Sequence, residues 1–160
     1  MGKKEIKTNA MRILDRMKIP YTYDTYECDE FTDGVETADK LGLDHELVYK
    51  TIVTTGKGGA HYVFVLPIEK EIHFKKAAKA VGEKSLEMLP LKELTPLTGY
   101  VRGGCTAVGM KKNFPTVIDS SASSLQMMYV SGGRIGMQLK LAPEDLKKAS
   151  NAVFADVTQE

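Results

Sequence analysis

The sequence predicts an α+β fold, with one mixed, curved or barrel-like sheet and flanking helices. Two observations predict this class: apolar residues recur at helical spacing in several short segments, and β-branched runs with strand-like alternation lie between those segments. A third observation, the absence of repeats, linkers and low-complexity stretches, predicts a single compact domain over residues 1–160. With 42% hydrophobic residues, such a chain can bury a core without disulfides or metal.

The helices are predicted from apolar spacing and from residues that begin or end a helix. Apolar residues three and four apart predict a helix over residues 8–18, which Pro20 ends. Asp33 followed by Glu36 is similar to a capping box and predicts a helix over residues 35–41. Further helical segments are expected at residues 44–48 (a short helix or turn), 73–81 and 89–97 (a short turn punctuated by proline), and from Pro143 onward.

The strands are predicted from β-branched and aromatic runs. Residues 50–55 and 62–66 are two such runs on either side of a glycine-rich turn at 56–59, which predicts a central hairpin. Alternation predicts an earlier strand over residues 21–26. Three later strands are expected at residues 116–118, 127–130 and 136–141.

Composition restricts the class of protein to which the chain can belong, but it does not identify a binding partner. Lys and Arg number 22 against 21 Asp and Glu, so the net charge of +1 gives no basic footprint, although a local patch can still contact phosphates. Cys28 and Cys105 form no CxxC pair, and the three histidines lack metal-ligand spacing. No apolar run approaches the ~18–20 residues that span a bilayer, and no signal-like stretch begins the chain. We therefore expect a cytoplasmic protein without membrane, metal or cofactor.

Lys50 is the first candidate for a functional side chain. It follows Tyr49 at the junction between a short helical segment and a β-branched strand. A lysine at the entrance of an apolar sheet either extends outward to solvent or is held inside for a function. The local sequence leaves both interpretations open.

Two glycine-rich segments, residues 103–109 and 131–136, are the second candidate. Backbone amides without side-chain bulk can donate to an oxyanion or a phosphate, although both segments could equally be tight turns. Neither matches GxGxxG or a P-loop, and no Ser-His-Asp set is apparent. Cys105 has no obvious neighbouring base, and the basic pair Lys111–Lys112 is either solvated surface or a phosphate contact.

Taken together, these segments resemble the YbaK/ProX group of aminoacyl-tRNA editing domains, and within it the YbaK branch. The resemblance covers nearly the whole chain and rests on the order and spacing of four segments: VYKTIV at residues 48–53, FKKAA at 74–78, TGYVRGGCTAVG at 98–109 and YVSGG at 129–133. It implies a compact α+β domain, related to the editing domain inserted in bacterial prolyl-tRNA synthetases. It also implies an enzyme that deacylates Cys-tRNA(Pro) and also Cys-tRNA(Cys).

The resemblance also implies the site residues. The family's essential lysine matches Lys50, and its neighbour in the KT motif matches Thr51. The remaining matches are pocket residues: the aromatic positions Tyr26 and Phe31, the glycine-rich loop residues Gly103, Gly104, Thr106 and Gly109, and the SGG segment Ser131, Gly132 and Gly133. The family usually has proline where this chain has Ala107, which predicts a less stiff loop here.

In the mechanism that the resemblance implies, the substrate supplies the nucleophile. The cysteinyl thiol attacks its own ester carbonyl and releases tRNA and a cyclic thiolactone. Lys50 would bind the ester and the terminal ribose, and the amides of Gly103 and Gly104 would lie near the carbonyl oxygen. The acceptor of the thiol proton stays open. Prolyl-tRNA synthetase cannot easily reject cysteine by size, so the implied partners are aminoacyl-tRNA and, transiently, that synthetase.

Three other functions remain compatible with the sequence. A deacylase of Ala-tRNA(Pro), or of another small aminoacyl-tRNA, would use water and release the free amino acid. A non-catalytic module would bind tRNA or a synthetase, although Lys50 and both glycine segments favour an enzyme. A nucleotide- or phosphate-binding regulator would use the glycine-rich segments alone.

Overall fold

Two sheets form the centre of the molecule, which we describe from a computed structural model that covers residues 7–26 and 34–159. The strands are β1 (Thr22–Thr25), β2 (Tyr49–Gly56), β3 (His61–Pro67), β4 (Leu86–Met88), β5 (Thr116–Asp119), β6 (Met128–Ser131), β7 (Met137–Leu141) and β8 (Ala152–Ala155). The helices are α1 (Asn9–Arg16), α2 (Gly34–Leu41), α3 (Phe74–Val81), α4 (Leu91–Thr98) and α5 (Pro143–Ser150), with short 3-10 turns at His45–Leu47 and Ser120–Ser124.

The smaller sheet has the antiparallel order β1-β7-β6, and the larger, mixed sheet has the order β4-β2-β3-β5-β8. Within the larger sheet, β3–β5 and β5–β8 are parallel, whereas the pairs around β2 are antiparallel. A single parallel bridge between Val48 and Tyr129 links the two sheets. Over the described residues the strands do not close into a barrel, and the predicted α+β fold is confirmed with two open sheets and flanking helices.

The β2–β3 hairpin is the centre of the larger sheet, and its turn explains its register. Gly56 N–H donates to Ala60 O at 2.7 Å, and Gly59 turns the chain with a φ of 92°, a conformation that favours glycine. Residues 63–66 of β3 are fully buried, because both faces of the sheet are covered. Phe64 packs toward α3, while Val65 packs into the core beneath α1 and α5.

The smaller sheet is covered on one face by the same core. Met137, Leu139 and Leu141 of β7 pack there with Leu14 of α1 and Leu146 of α5. Successive side chains of a strand point to opposite faces. The intervening residue Gln138 therefore lies on the other face, where a cleft opens.

Most of the predicted elements are confirmed. The helices over 8–18, 35–41, 73–81 and from Pro143 are α1, α2, α3 and α5, and the segment at 44–48 contains a 3-10 turn. The strands predicted at 21–26, 50–55, 62–66, 116–118, 127–130 and 136–141 correspond to β1, β2, β3, β5, β6 and β7. Asp33 of the predicted capping box lies outside the described residues.

The sequence analysis missed β4 and β8 and underestimated α4. Both strands are short and lack a clear alternation, and each is ordered by pairing at an edge of the larger sheet. The predicted turn at 89–97 is a helix, Leu91–Thr98, that contains Pro96 and ends at Gly99 with a φ of 86°. Within the described ranges, no helix is long and apolar enough to cross a bilayer.

Candidate active site

A cleft of about 660 Å³ lies where β2, α2, α4, the first glycine-rich segment and β6–β7 meet. Its wall is apolar along β4 and α4, where the side chains belong to Met88, Leu89, Leu91 and Leu94. Its polar side chains come from the other elements: Thr37, Lys50, Thr51, Arg102, Ser131 and Gln138. A concave, mostly apolar site with a few polar groups is the usual form of a small-molecule pocket.

The cleft follows an open edge of β2. β3 pairs with β2 along its length, but β4 reaches only Thr54–Gly56 on the opposite edge. Leu89 N–H donates to Val53 O at 3.1 Å and closes the end of that gap. Because the edge is open before Val53, residues from both faces of the strand border the cleft, including Lys50 and Thr51. A short β4 therefore creates the site.

Lys50 is the cation that β2 contributes to the cleft. It is the second residue of β2, is half-buried, and pairs through its backbone with Leu66 of β3. None of the ion pairs among the described residues involves its ammonium group. A lysine held in a cleft without a counter-charge is available to an electron-rich ligand.

A partly buried polar network fixes the backbone beside Lys50. The hydroxyl of Tyr49 lies 2.7 Å from the hydroxyl of Ser121, which donates to the carboxylate of Asp119 at 2.6 Å. The same carboxylate accepts the Val157 amide at 3.1 Å. Burial raises the pKa of Tyr49 above its ordinary value, so the phenol remains neutral. The network thus ties β2, β5 and the end of the chain together.

The two glycine-rich segments form the opposite side of the cleft. A Cβ on Gly104 would lie 2.7 Å from Arg134 Cα and 2.9 Å from the backbone nitrogen of Ile135. The segments are therefore in direct backbone contact, a distance that only glycine permits. Gly103 has a φ of 87°, and its carbonyl oxygen is 3.5 Å from the hydroxyl of Ser131.

Side chains from outside the first glycine-rich segment hold it in place without the family's proline. The hydroxyl of Tyr100 donates to Val108 O at 2.6 Å, and the side chain of Asn9 donates to Gly109 O at 2.7 Å. Burial raises the pKa of Tyr100 to about 12, so it stays a donor. Ala107 packs against two apolar clusters. These contacts supply the rigidity that a proline would otherwise give.

Cys105 borders the cleft, but its thiol is expected to be unreactive. It is only 7% exposed, and burial raises the pKa of its thiol to about 12, although a hydrogen bond with Thr98 acts in the opposite direction. A thiol with this pKa is protonated at neutral pH and is a poor nucleophile. The structure therefore gives no support for Cys105 as an enzymatic nucleophile.

The predicted site residues divide into two layers. Lys50, Thr51, Gly103 and Ser131 border the cleft. Tyr26 stands one layer back, with its hydroxyl 3.4 Å from that of Thr37, which borders the cleft. The other predicted residues do not border the cleft: Gly104, Thr106, Gly109, Gly132 and Gly133. Gly104 lies against the backbone of Arg134, the other three glycines lie against side chains, and Thr106 is fully buried. Phe31 lies outside the described residues.

Other cleft residues were missed by the sequence analysis. Arg102 was not chosen although it lies in the segment at 98–109, Thr37 lies in no recognised motif, and the apolar wall around Leu91 depends on the unexpected β4–α4 arrangement. Gln138 left no signal either, because β7 reads MQLKL and Gln138 occupies an ordinary polar position in that alternation. Only the structure shows that this side chain is buried.

Comparison with known proteins agrees with this architecture. A family model described as the aminoacyl-tRNA editing domain matches residues 30–149. The chain belongs to the family of aminoacyl-tRNA editing domains. It is 42% identical over 161 aligned residues to EbsC of Enterococcus faecalis, whose name proposes a Cys-tRNA(Pro)/Cys-tRNA(Cys) deacylase; the match covers 99% of this chain and 98% of EbsC.

Solved structures also share the editing-domain fold. A hypothetical protein superposes with a TM-score of 0.85 at 25% identity, over 94% of this chain and 99% of the other. A protein proposed as a trans-editing enzyme for prolyl-tRNA synthetase superposes with a TM-score of 0.80 at 21% identity, over 98% of this chain and 100% of the other. The second likeness is one of fold. The cleft therefore lies within a fold used for aminoacyl-tRNA editing.

Proposed function

We propose that this editing domain deacylates Cys-tRNA(Pro) in trans, and also Cys-tRNA(Cys), with Lys50 as the residue that acts on the ester. The observation that carries the proposal is a lysine without a counter-charge among the described residues, on the cleft that Gly103 and Ser131 also border. The 42% identity to EbsC over nearly the whole of both chains supports the same substrate class.

The size of the cleft supports a ligand larger than an amino acid. About 660 Å³ lies within the range of sites that enclose drug-sized molecules. The aminoacyl group would occupy the polar end near Lys50 and Ser131. The terminal adenosine would extend along the apolar wall of Leu89, Leu91 and Leu94, whose surface suits the face of a base.

The proposed chemistry uses no protein nucleophile. The thiol of Cys105, the cysteine in the described part of the chain, is neutral, and the proposal assigns the attack to the sulfur of the substrate. The new bond joins this sulfur to the ester carbonyl carbon, and the bond from that carbon to the ribose oxygen breaks. The ribose oxygen ends with the proton that the thiol lost, and the products are the thiolactone and the free tRNA end.

Lys50 and the glycine side would stabilise this reaction from two directions. The ammonium of Lys50 would bind the ester and ribose oxygens as negative charge develops there, while backbone groups around Gly103 lie near the carbonyl. Because alanyl and prolyl esters lack sulfur, selectivity would be chemical rather than steric. The proposal places this reaction in the cytoplasm, with a transient complex with prolyl-tRNA synthetase supplying acceptor choice.

The test compares three esters, Cys-tRNA(Pro), Ala-tRNA(Pro) and Pro-tRNA(Pro), with wild type and two variants. Lys50→Ala removes the proposed catalytic cation, and Lys57→Ala removes an exposed lysine at the other end of the same hairpin. We expect rapid loss of the cysteinyl ester alone, a fall of about 10²–10³-fold in Lys50→Ala, and no change in Lys57→Ala.

Blocking the substrate thiol separates the two chemistries. An S-methylcysteinyl ester keeps the amino group and sulfur of the substrate and adds one methyl group, so it has no thiol to attack. We expect no cleavage of this ester. Cleavage, or preference for the alanyl ester, would instead assign a water-using deacylase, and no cleavage of any ester would leave a binding module.

A further inference from the structure

The cleft contains one buried acceptor whose partner is missing. Gln138 is only 6% exposed, lies near the start of β7 and borders the cleft. Its side-chain oxygen has no hydrogen-bond partner among the described residues. Across the sheet its backbone partner is Ser131, which also borders the cleft.

An orphaned acceptor of this kind requires an explanation. Most buried polar atoms in proteins have a hydrogen-bond partner, so an exception marks a strained or functional position. Packing alone does not require an amide here, since an unbranched apolar side chain of the same length would fill the space without loss. The other orphan among the described residues, the hydroxyl of Thr106, is buried but does not border the cleft. Gln138 is thus the orphan whose side chain borders the cleft.

The ligand must bring a donor, because the orphaned atom is a carbonyl oxygen that only accepts. An aminoacyl ester has three donors near its carbonyl: the α-ammonium group, the side-chain thiol and a ribose hydroxyl. The ammonium is repelled by the cation of Lys50 and makes the strongest hydrogen bond to a neutral oxygen. It is therefore the donor that best suits the acceptor of Gln138.

We propose that Gln138 is a specificity-determining residue that accepts a hydrogen bond from the α-amino group of the aminoacyl ester. This inference rests on the proposed function and names the recognition element within the same site. Gln138 holds the amino group, Lys50 holds the ester and ribose oxygens, and the α-carbon is fixed between two points. An acyl group without an amine would lose the hydrogen bond to Gln138.

The experiment pairs Gln138→Met with a substrate that lacks the amine. The β-mercaptopropionyl ester keeps the thiol and the acyl chain of cysteine but has no amino group. We expect wild type to prefer the cysteinyl ester by about 10- to 100-fold in kcat/KM, since one charge-assisted hydrogen bond is lost. Gln138→Met should lower kcat/KM for the cysteinyl ester by the same factor, mainly through KM, and leave the other ester unchanged.

Two controls distinguish a role of Gln138 in substrate recognition from a role in protein stability. Gln126→Met makes the same replacement at an exposed position away from the cleft and should behave as wild type. The thermal midpoint of Gln138→Met should equal or exceed that of wild type, because the variant removes an unsatisfied buried acceptor. Equal losses on both esters, or no loss on either, would overturn the role of Gln138.

Binding distinguishes failure of this inference from failure of the proposed reaction. The probe is the non-cleavable amide analogue of cysteinyl-adenosine, compared by calorimetry with its counterpart that lacks the amine. If wild type cleaves no ester but binds the amine-bearing analogue more tightly, and Gln138→Met removes that difference, the recognition role holds without the deacylase. Equal affinity of wild type for both analogues would overturn the inference.

Discussion

On the β2 side of the cleft, Lys50 is a half-buried side chain without an ion-pair partner among the described residues. On the opposite side, Gly104 lies so close to Arg134 that a Cβ would come within 2.7 Å of its Cα. The β2 side therefore contributes a side chain without an ion-pair partner among the described residues. The opposite side contributes a surface formed by two backbone segments in direct contact.

The difference indicates that the β2 side supplies a functional group, whereas the glycine-rich side fixes the shape of the cleft. A side chain that makes no structural hydrogen bond can be removed without cost to the fold. A backbone contact without side chains cannot be altered without moving both segments, because protein interiors are close-packed. Substitutions on the two sides should therefore differ in whether stability and activity change together.

Gly104→Ala should have the largest combined effect, because it should lower both stability and activity. Its new Cβ would meet backbone atoms of Arg134 and Ile135, so the two segments must separate. We expect a loss of about 1–3 kcal/mol in the free energy of unfolding, measured by urea denaturation, from overpacking. Deacylation should fall by about 10²-fold, since displacement of a positioning element by about 1 Å has that effect.

A matched glycine makes this result interpretable. Gly58 in the β2–β3 turn has open space around a new Cβ, with nothing within 4 Å, and no positive φ. Gly58→Ala should therefore leave both stability and activity near wild type. If Gly104→Ala were equally neutral, the backbone contact would not hold the cleft.

Lys50→Met should uncouple the two quantities. We expect the thermal midpoint to stay near that of wild type, with a change of no more than about 0.5 kcal/mol in stability, because no partner loses its contact. Activity on Cys-tRNA(Pro) should still fall by about 10²–10³-fold. A variant that unfolds would show that Lys50 has a structural role and would remove the contrast with Gly104.

The elements with local signals could be predicted from the sequence. The turn at residues 56–59 fixes the hairpin by glycine chemistry alone. Apolar spacing together with His73 and Gly82 as its caps defines α3. By contrast, β4 and β8 form only because the larger sheet offers them edges, and that information is not local.

The candidate site, like the fold, could be predicted only in part from the sequence. Lys50 and the glycine-rich segments stand out as residue types with chemical uses, and the family resemblance placed them in one pocket. The sequence could not predict that the side-chain oxygen of Gln138 is buried without a hydrogen-bond partner among the described residues. Such a condition depends on the three-dimensional position of every neighbouring group. The division of the strands into two sheets, which the Val48–Tyr129 bridge links, likewise depends on pairing between distant segments.

Cys105→Ala should have a smaller effect that tests the neutrality of the cleft thiol. We expect activity to be retained and stability to fall by about 1 kcal/mol from lost burial. In wild type, alkylation by iodoacetamide at about pH 8 should be slow for this thiol in the native state and fast after unfolding, because its pKa is about 12 in the fold. Loss of activity with unchanged stability would make Cys105 part of the chemistry.

The smallest effect is expected at His45, which ties α2 to the hairpin. Its ring nitrogens lie 2.7 Å from Asp39 of α2 and 3.3 Å from Glu69 after β3, and α2 supplies Val35 and Thr37 to the cleft. The hydrogen bond with Asp39, followed by the charges of Asp39 and Glu69, raises the pKa of His45 above 6.5. The protonated form is thus favoured in the fold.

The sign of the pH dependence follows from this shift. The stabilisation is fully present below the unfolded pKa and is lost as pH rises through the higher folded value. His45→Gln should therefore be less stable than wild type at about pH 5.5 and differ less at about pH 8.5, and hydrogen exchange of α2 amides should show the same convergence. A difference that stayed constant across this range would mean that His45 acts by packing, and α2 would then border the cleft with the same rigidity at every pH.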